Sequence, residues 1–468
     1  MKVQDQDLER IVQQVLQSLR KEGEVKDRSY TKGVFENMEE AIAASIKTQE
    51  ELRRMPMEFR EKIIANIRKK TLQYATEFAQ MGVKETGMGR VGDKILKHQL
   101  VAERTPGTED IQVTAWSGDR GLTLIEQGPF GVIGAVTPST NPSETIICNT
   151  IGMIAGGNTV VFNPHPGAIQ VSNYAVSMVN EASMEVGGPN HIATSVIKPT
   201  LGTADILFKH PKVPLLVATG GPGVVTSILS SGKRGIGAGA GNPPVVVDET
   251  ADIPKAAMDI INGATFDNNL PCIAEKEVIV VKEVADELIH YMIQSGSYLL
   301  EESAVEQLTN MVLEKKDGRL ILNRNWVGKD ASAILAGMGI IVDDSIRCII
   351  FNAPKDHPLV VEELMMPILG IVRVEDVDEA IEVATILEQG NRHSAHMHSK
   401  NVDNLTRFGQ IIDTAIFVKN APSYAALGFG GEGYCTFTIA SRTGEGLTSP
   451  RTFTKSRRCV MADSLCIR

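Results

Sequence analysis

The chain has 468 residues, of which 43% are hydrophobic and 22% are charged, and its formal net charge is −10. This composition is typical of a globular protein with two or three domains and a large buried core. The negative balance argues against a nucleic-acid partner, because such binding requires a basic face. It does not exclude an anionic cofactor, since helix N-termini can hold phosphates.

The six cysteines are scattered, without the spacing of zinc ligands or of a disulfide framework. This pattern indicates a reducing compartment. No signal peptide is visible, and the apolar run at residues 145–162 is broken by asparagines and glycines. The run therefore predicts a buried helix, a glycine turn and a strand, not a membrane span. We expect a soluble, intracellular protein.

The N-terminal residues 1–20 have one apolar stripe at helical spacing, formed by Leu8, Ile11, Val12, Val15, Leu16 and Leu19. Residues 21–33 are polar and read as a linker. A short tethered helix needs a partner for its apolar face. Membrane binding is disfavoured, because Asp5, Asp7 and Glu9 offset the basic residues. Docking on the protein's own body or on a neighbouring subunit remains an alternative to a separate partner.

The body begins with charged helices up to about residue 85, with a break at Pro56 and glycine stop signals after Gly87. Strand-like and helix-like runs then alternate, which predicts a parallel α/β sheet. The predicted strands are residues 122–127, 131–136, 159–162, 194–197, 213–219, 277–281, 348–351 and 371–374. The strand at 213–219 runs into a glycine turn before a helix, which favours either a pyrophosphate site or a tight structural turn.

Cys272 lies in a predicted loop between a helical run and the strongly β-forming residues 277–281. A thiolate held between rigid elements can attack an electrophile from a fixed position. The alternative is a small buried hydrophobic residue, which free cysteines usually are. His393, His396 and His398 lie close together, but no carboxylate or cysteine spacing accompanies them, so no metal site is predicted.

Five segments, in chain order, resemble motifs of the aldehyde dehydrogenase superfamily, and most closely its CoA-acylating members from bacterial microcompartments. The resemblance covers about residues 35–468. The segments are Thr137-Pro138-Ser139-Thr140-Asn141-Pro142, residues 157–162, Ala218-Thr219-Gly220-Gly221, the loop at residues 269–276, and residues 362–367.

The resemblance implies an α/β fold with a Rossmann-like cofactor domain, an α/β catalytic domain and a small β oligomerisation element, preceded by the amphipathic helix on its linker. The implied limits are 1–20 for the helix, 21–33 for the linker, 34–236 for NAD and CoA binding, 237–430 for catalysis and 431–468 for oligomerisation. Residues 111–129 would belong partly to the oligomerisation strands, and a homo-oligomer is implied.

The resemblance also implies roles for particular residues. Cys272 would be the nucleophile, and Thr140 or Asn141 would stabilise the oxyanion; the family's Pro-x-Asn-x-Pro frame leaves both open. Glu363 would hold the ribose on the nicotinamide side of NAD. The other implied cofactor-binding residues are Thr137, Pro138, Ser139, Asn163, His165, Thr219, Gly220 and Gly221.

Two departures from the hydrolytic members of the family are informative. Asn163 stands where they carry the lysine that grips the adenosine ribose. Ala238 falls on the position of the glutamate that activates the deacylating water. Without that base an acyl-enzyme resists hydrolysis until a better nucleophile arrives, and the CoA thiol is one.

The implied activity is NAD-dependent oxidation of a short-chain aldehyde to its acyl-CoA in the microcompartment lumen. Propanal, from propanediol degradation, is expected first, and acetaldehyde, from ethanolamine utilisation, is the alternative. A hydrolytic aldehyde dehydrogenase and a non-catalytic shell-binding scaffold are weaker alternatives. The helix at 1–20 resembles encapsulation peptides that bind shell proteins.

Removal of residues 1–19 is expected to leave turnover unchanged and to abolish encapsulation, because the stripe is separated from the body by a polar linker. Activity and co-purification with shells would be measured for the full and shortened chains. Loss of activity in the shortened chain would show instead that the helix docks on the body.

Overall fold

The structure is a computed structural model that describes residues 32–316 and 318–467. The predicted helix at 1–20 and linker residues 21–31 lie outside the described residues. Among the described helices, none is both long enough and apolar enough to span a membrane.

The strands, in chain order, are β1 (Val34–Phe35), β2 (Thr114–Gly118), β3 (Gly121–Pro129), β4 (Val132–Thr137), β5 (Thr159–Pro164), β6 (Ala193–Val196), β7 (Leu215–Thr219), β8 (Arg234–Ala238), β9 (Pro244–Val247), β10 (Glu277–Val281), β11 (Ser297–Leu299), β12 (Leu313–Lys316), β13 (Arg319–Leu322), β14 (Cys348–Asn352), β15 (Ile368–Val374), β16 (Ser394–His398), β17 (Ile416–Lys419), β18 (Ile439–Ala440), β19 (Gly446–Leu447) and β20 (Thr454–Ala462).

The α-helices are α1 (Met38–Leu52), α2 (Met57–Thr86), α3 (Val91–Arg104), α4 (Pro142–Ala155), α5 (Ile169–Glu185), α6 (Leu201–Lys209), α7 (Pro222–Leu229), α8 (Ile253–Thr265), α9 (Lys282–Gln294), α10 (Glu302–Val312), α11 (Ala331–Gly337), α12 (Pro358–Val361), α13 (Val377–Leu387) and α14 (Val402–Ile412).

The chain divides into two compact units. The first contains the described residues up to Thr86, then Arg90–Leu216 and the described residues from Ser449; the second contains Gly87–Gly89 and Val217–Thr448. The domain limits implied by the resemblance, at 236 and 430, differ from this division and stay a prediction about function.

In the first unit, β1, β6, β5 and β4 are parallel neighbours in that order. Every residue of α4 is buried, which explains why its sequence is apolar on all sides rather than along one stripe. The helix packs against α2 and α5. The buried helix, glycine turn and strand predicted for residues 145–162 are therefore confirmed.

The second unit is built on a parallel sheet with the strand order β11-β14-β15-β10-β9-β16-β17. Side chains of β10 alternate between two cores: Val278 and Val280 pack with α8 and α9, whereas Ile279 and Val281 pack with α13 and α14. A strand covered on both faces needs apolar residues on both, and β10 supplies them from Val278 to Val281.

A three-stranded antiparallel sheet in the first unit joins distant parts of the chain. β20 pairs with β3 over nine residues, and β3 also pairs with β2. Phe453, just before β20, is buried against α4, where an added Cβ at Gly152 would lie 3.2 Å from its ring. The Asn158 side chain donates to the Phe453 carbonyl at 2.9 Å. These contacts anchor the C-terminal strand.

The predicted α/β class with parallel sheets is confirmed. The strand predicted at 277–281 has the observed limits, and those at 348–351 and 371–374 are shorter than β14 and β15. The two strands predicted on either side of Gly128 enter different sheets, β3 and β4. The strands β8, β9, β16 and β17 were not predicted. β8 carries two glycines and β16 two histidines, so neither has the β-branched run that marks β10.

Phe453→Ala is expected to lower the free energy of unfolding by about 3–5 kcal/mol, because it removes a fully buried ring and leaves a cavity against α4. Urea unfolding would measure the change, with Met184→Ala, at an exposed position of α5, as the matched control. An equal, small loss in both variants would contradict the anchoring role.

Candidate active site

Four segments of the second unit meet at one edge of its sheet. β15, β10, β9 and β16 are consecutive parallel neighbours, so the residues that precede each strand share that edge. Glu363 precedes β15, the Cys272 loop precedes β10, Gly241 precedes β9 and His393 precedes β16. An added Cβ at Gly241 would lie 2.8 Å from the His393 ring, which shows how closely these segments approach.

The loop that carries Cys272 is fastened at its two ends. The Asn269 side chain donates to the carbonyls of Ala264 and Glu275, both at 2.9 Å. The Lys276 ammonium donates back to the carbonyl of Asn269 at 3.1 Å and to its Oδ1 at 2.5 Å. These buried hydrogen bonds close the segment 269–276 and fix the backbone on either side of Cys272.

The turn before the loop explains its unusual sequence. Asp267, Asn268 and Asn269 have φ angles of +48°, +55° and +66°, a left-handed region that Asp and Asn tolerate better than other non-glycine residues. Asn268 also donates to the Gly328 carbonyl and to Asp330, each at 3.0 Å. The Asp-Asn-Asn run is thus a sequence signal for this turn.

The Cys272 side chain is partly exposed, and its surroundings disfavour the thiolate. Desolvation, followed by the nearby Glu363 carboxylate, raises the pKa of Cys272 to about 12, while Lys276 acts in the opposite direction. At neutral pH the described arrangement therefore holds a protonated thiol. The nucleophile needs a change in its electrostatic environment before it can react.

Lys276 and Glu363 form the charged surroundings of the thiol. Desolvation raises the pKa of Glu363, although Lys276 and a hydrogen bond from the Gly241 backbone partly offset this effect. Burial lowers the pKa of Lys276, which Glu363 opposes. The Lys276 side chain is only 3% exposed and is bonded to Asn269, so its charge is buried beside the thiol and not solvated.

The glycine turn of the second unit lies between β7 and α7. Thr219 pairs its hydroxyl with that of Thr438 at 2.8 Å, and the Gly220 N–H donates to the Ala238 carbonyl at 3.1 Å. Gly221 precedes the first residue of α7, and an added Cβ there would meet no atom within 4 Å. Packing within the described residues therefore does not require glycine at 221. The open space beside it would let a ligand phosphate approach the backbone.

The other residues expected to bind the cofactor lie in the first unit, at the carboxyl ends of two adjacent parallel strands. Thr137 ends β4 and is opposite Pro164, which ends β5. The Thr137 hydroxyl is buried and has no hydrogen-bond partner among the described residues, which fits a site completed by a ligand. Pro138 and Ser139 follow it and are partly exposed. This edge is where ligands bind in parallel α/β sheets.

Asn163 and His165 are engaged locally. Asn163 accepts from the Thr203 hydroxyl at 2.6 Å, and its amide reaches the Thr200 carbonyl at 3.5 Å. His165 is exposed and accepts from the Gly167 N–H at 3.0 Å. Asn163 is therefore bonded to the start of α6. The lysine that hydrolytic members of the family carry at this position binds the adenosine ribose instead.

The two oxyanion candidates lie at the start of α4. Asn141 is the residue before the helix, and its side chain is 7% exposed. Its Nδ2 donates to the Thr140 hydroxyl at 3.3 Å, and its Oδ1 accepts from the Lys97 ammonium at 2.5 Å. The Lys94 ammonium donates to the Thr140 carbonyl at 3.2 Å.

The three histidines are buried on or beside β16, and burial lowers each pKa, to about 4 for His393 and His396 and about 3 for His398. His396 contributes Nε2 to a 2.9 Å hydrogen bond with the Ile273 carbonyl. It therefore supports the Cys272 loop, a role that the sequence did not reveal. Across the described residues, no cluster of possible metal ligands is present.

A partly exposed cysteine on a loop held by buried hydrogen bonds, beside a carboxylate and a buried lysine, fits a cysteine-nucleophile enzyme built on a parallel α/β sheet. The model of the aldehyde dehydrogenase family matches residues 26–448. The chain belongs to this family.

Three relatives cover almost the whole chain. The acetaldehyde dehydrogenase (acetylating) EutE of Salmonella typhimurium is 46% identical over 99% of each chain. A propionaldehyde dehydrogenase from the fucose utilisation microcompartment of Clostridium phytofermentans is 67% identical, with a TM-score of 0.92 over 94% of this chain and all of its own. A propionaldehyde dehydrogenase of Rhodopseudomonas palustris, solved with bound CoA and an acylated cysteine, is 51% identical, with a TM-score of 0.91 over 94% and 100% of the two chains.

In the ligand-free protein, alkylation of Cys272 is expected to accelerate only at strongly alkaline pH, because burial and Glu363 raise its pKa. Glu363→Gln removes a negative charge and is expected to move the midpoint to lower pH. Iodoacetamide labelling across pH, followed by mass spectrometry of the Cys272 peptide, measures both midpoints.

Glu362→Gln is the matched control, since it removes the neighbouring carboxylate, for which no interaction with Cys272 is found. If both variants had the same midpoint as the unmodified protein, the Glu363 carboxylate would not control the thiol.

Proposed function

We propose that this protein is a NAD-dependent, CoA-acylating aldehyde dehydrogenase that oxidises a short-chain aldehyde, with propanal as its first substrate, to the acyl-CoA. The observation that carries the proposal is the pinned Cys272 loop beside Glu363, in a chain with Ala238 at the position of the hydrolytic glutamate. Ala238 is buried at the end of β8.

Cys272 carries the covalent step. After the thiol proton is lost to solvent, the thiolate sulfur attacks the aldehyde carbon, and the electron pair of the C=O π bond moves to the oxygen. The resulting thiohemiacetal oxyanion is stabilised by the Cys272 backbone N–H and by Thr140 or Asn141. When the carbonyl re-forms, a hydride leaves the same carbon, and a thioester remains on Cys272. Each oxyanion donor is worth about 3 kcal/mol of barrier reduction.

Activation of Cys272 follows from its electrostatic surroundings. Glu363 opposes the thiolate in the ligand-free arrangement. Within the proposal this carboxylate accepts both ribose hydroxyls on the nicotinamide side of NAD, which spreads its charge and reduces its effect on the sulfur. Lys276 remains in place through Asn269 and continues to favour the thiolate.

The fate of the thioester follows from the residue at 238. An alanine cannot accept a proton from water, so hydrolysis of the Cys272 thioester is slow. Bound NAD would supply the hydride acceptor, and CoA as the second substrate would supply the thiol that takes the acyl group from Cys272. Thr137, Pro138, Ser139, Asn163, His165, Thr219, Gly220 and Gly221 are the proposed cofactor contacts.

Propanal is proposed ahead of acetaldehyde because a relative named for propionaldehyde is 67% identical, against 46% for a relative named for acetaldehyde. A difference of one methylene group in an apolar pocket is worth only about 1–3 kcal/mol. Acetaldehyde is therefore the alternative substrate of the same site.

The proposed location is the lumen of a bacterial microcompartment for propanediol degradation, where residues 1–20 bind a shell protein. The amphipathic stripe and the microcompartment origin of one relative support this placement. A homo-oligomer is proposed because β20 is exposed from Lys455 to Ala462, and Trp116 on the same sheet is also exposed. Such strands are ready to pair or pack with a second copy.

The proposed function is tested by NADH formation from propanal and NAD, with and without CoA. Sustained turnover only with CoA is expected, because Cys272 has no base at 238 to assist hydrolysis. Equal turnover without CoA would mean that water removes the acyl group and that a hydrolytic aldehyde dehydrogenase is the better description.

Cys272→Ala is expected to abolish NADH formation, because it removes the thiol that forms the thioester in the proposed mechanism. Cys466→Ser, which changes another partly exposed cysteine, serves as the control and is expected to keep full turnover. Appreciable dehydrogenation by Cys272→Ala would overturn the assignment of the nucleophile.

A further inference from the structure

The backbone around Cys272 is contacted by a histidine of β16, which is the second neighbour of β10 in the sheet. His396 lies in the middle of β16, where it is paired with Val245 of β9 and Val418 of β17. Its side chain is 0% exposed, and Nε2 lies 2.9 Å from the Ile273 carbonyl oxygen. Both partners belong to the second unit, so the contact depends only on the strand order within that unit.

This hydrogen bond determines which ring nitrogen of His396 carries the proton. A carbonyl oxygen can only accept, so Nε2 must be the donor. Nδ1 is then an acceptor, and it is buried without a hydrogen-bond partner among the described residues. Burial lowers the pKa of His396 to about 4, so the ring is neutral at neutral pH and retains this tautomer.

Packing alone does not account for an imidazole at this position. A buried ring with one unpaired nitrogen has lost hydration that the protein does not replace. The two residues paired with His396 in the sheet, Val245 and Val418, are aliphatic. What His396 provides, and an aliphatic side chain could not, is the donor to the Ile273 carbonyl.

The peptide group between Ile273 and Ala274 is held on both sides. Its carbonyl accepts from His396, and its N–H donates to the Pro271 carbonyl at 3.0 Å. The second bond closes a β-turn with Cys272 and Ile273 at its centre. No cis peptide bond occurs among the described residues, and the C=O and N–H of a trans peptide point in opposite directions. Fixing the Pro271 carbonyl therefore also fixes the direction of the Cys272 N–H.

The Cys272 N–H faces the sulfur of its own side chain. This N–H lowers the pKa of the thiol, because it stabilises the charged form of the sulfur. A carbonyl carbon bonded to Sγ places its oxygen next to the sulfur, within reach of the same N–H. The direction of this N–H therefore decides how well it stabilises negative charge on that oxygen.

We propose that His396 is a positioning residue: by donating to the Ile273 carbonyl it holds the β-turn of residues 271–274, and through this turn it directs the Cys272 backbone N–H at the thiohemiacetal oxyanion. His396 takes no part in the bonds that form or break. The inference rests on the proposed function, because the oxyanion belongs to the same acylation step.

The test compares two reagents that react with the same thiol. Iodoacetamide is attacked at a saturated carbon and forms no oxyanion, whereas p-nitrophenyl propionate is attacked at a carbonyl and forms one. With the ester, the thiolate sulfur adds to the carbonyl carbon, p-nitrophenolate leaves, and the propionyl group stays on Cys272. Because Cys459 is also exposed, the modified Cys272 peptide is quantified by mass spectrometry in both reactions.

The ratio of the two rate constants, ester over iodoacetamide at one pH, reports oxyanion stabilisation separately from the ionisation of the thiol. His396→Leu removes the donor and keeps a buried side chain. The ratio is expected to fall by roughly 10-fold, which is less than the roughly 100-fold loss for removal of a whole oxyanion donor. The Cys272 N–H is still present in this variant, but it is no longer held in direction.

Two further variants separate positioning from a general loss of packing. His396→Gln carries an amide N–H near the position of Nε2 and is expected to restore most of the ratio. His398→Leu is the matched control, since it removes another buried imidazole of β16, and it is expected to leave the ratio unchanged. In turnover, His396→Leu is expected to slow the burst of NADH without CoA, with an unchanged KM for NAD.

Thermal unfolding checks that each variant is folded. If His396→Leu does not fold, His396→Asn, whose amide is too short to reach Ile273, replaces it with the same expected loss. An unchanged ratio, an equal fall of both rate constants, or the same fall in His398→Leu would overturn the positioning role. The ratio requires neither NAD nor CoA, so failure of the proposed function is seen separately, as the absence of CoA-dependent NADH formation by the unmodified protein.

Discussion

The candidate site depends on the strand order of the parallel sheet in the second unit. β15, β10, β9 and β16 are neighbours, although they lie far apart in the sequence. Because parallel strands run in one direction, the loops before them converge on one edge, and each loop delivers one group: Glu363, Cys272 with Lys276, Gly241 and His393. The two apolar cores on the faces of the sheet hold this order in place.

On that edge, electrostatics rather than packing determines the state of the thiol. Burial and Glu363 raise the pKa of Cys272, and Lys276 lowers it. A protonated resting thiol is protected against oxidation and alkylation, since the thiolate is the reactive form. Under the proposed function, binding of a cofactor ribose to Glu363 would link activation of Cys272 to the presence of NAD, so that the thiolate would form when the hydride acceptor is bound.

In each unit a buried lysine orients an asparagine side chain. Lys276 holds Asn269 at the base of the nucleophile loop, and Lys97 holds Asn141 at the start of α4. In each case a buried lysine donates to an asparagine oxygen and so fixes the direction of the amide N–H groups. A lysine can impose this orientation because it has no acceptor of its own.

The sequence by itself determined the α/β class, the main strands, the Cys272 loop and the glycine turn at 220, because apolar periodicity and turn residues are local signals. It also showed that position 238 carries alanine and not glutamate. Only the tertiary structure decided that Lys276 is buried, that His396 supports the Cys272 loop and that Lys97 contacts Asn141. These facts depend on strand order and helix packing, which bring together residues separated by tens to more than a hundred positions, and no local pattern encodes such distances.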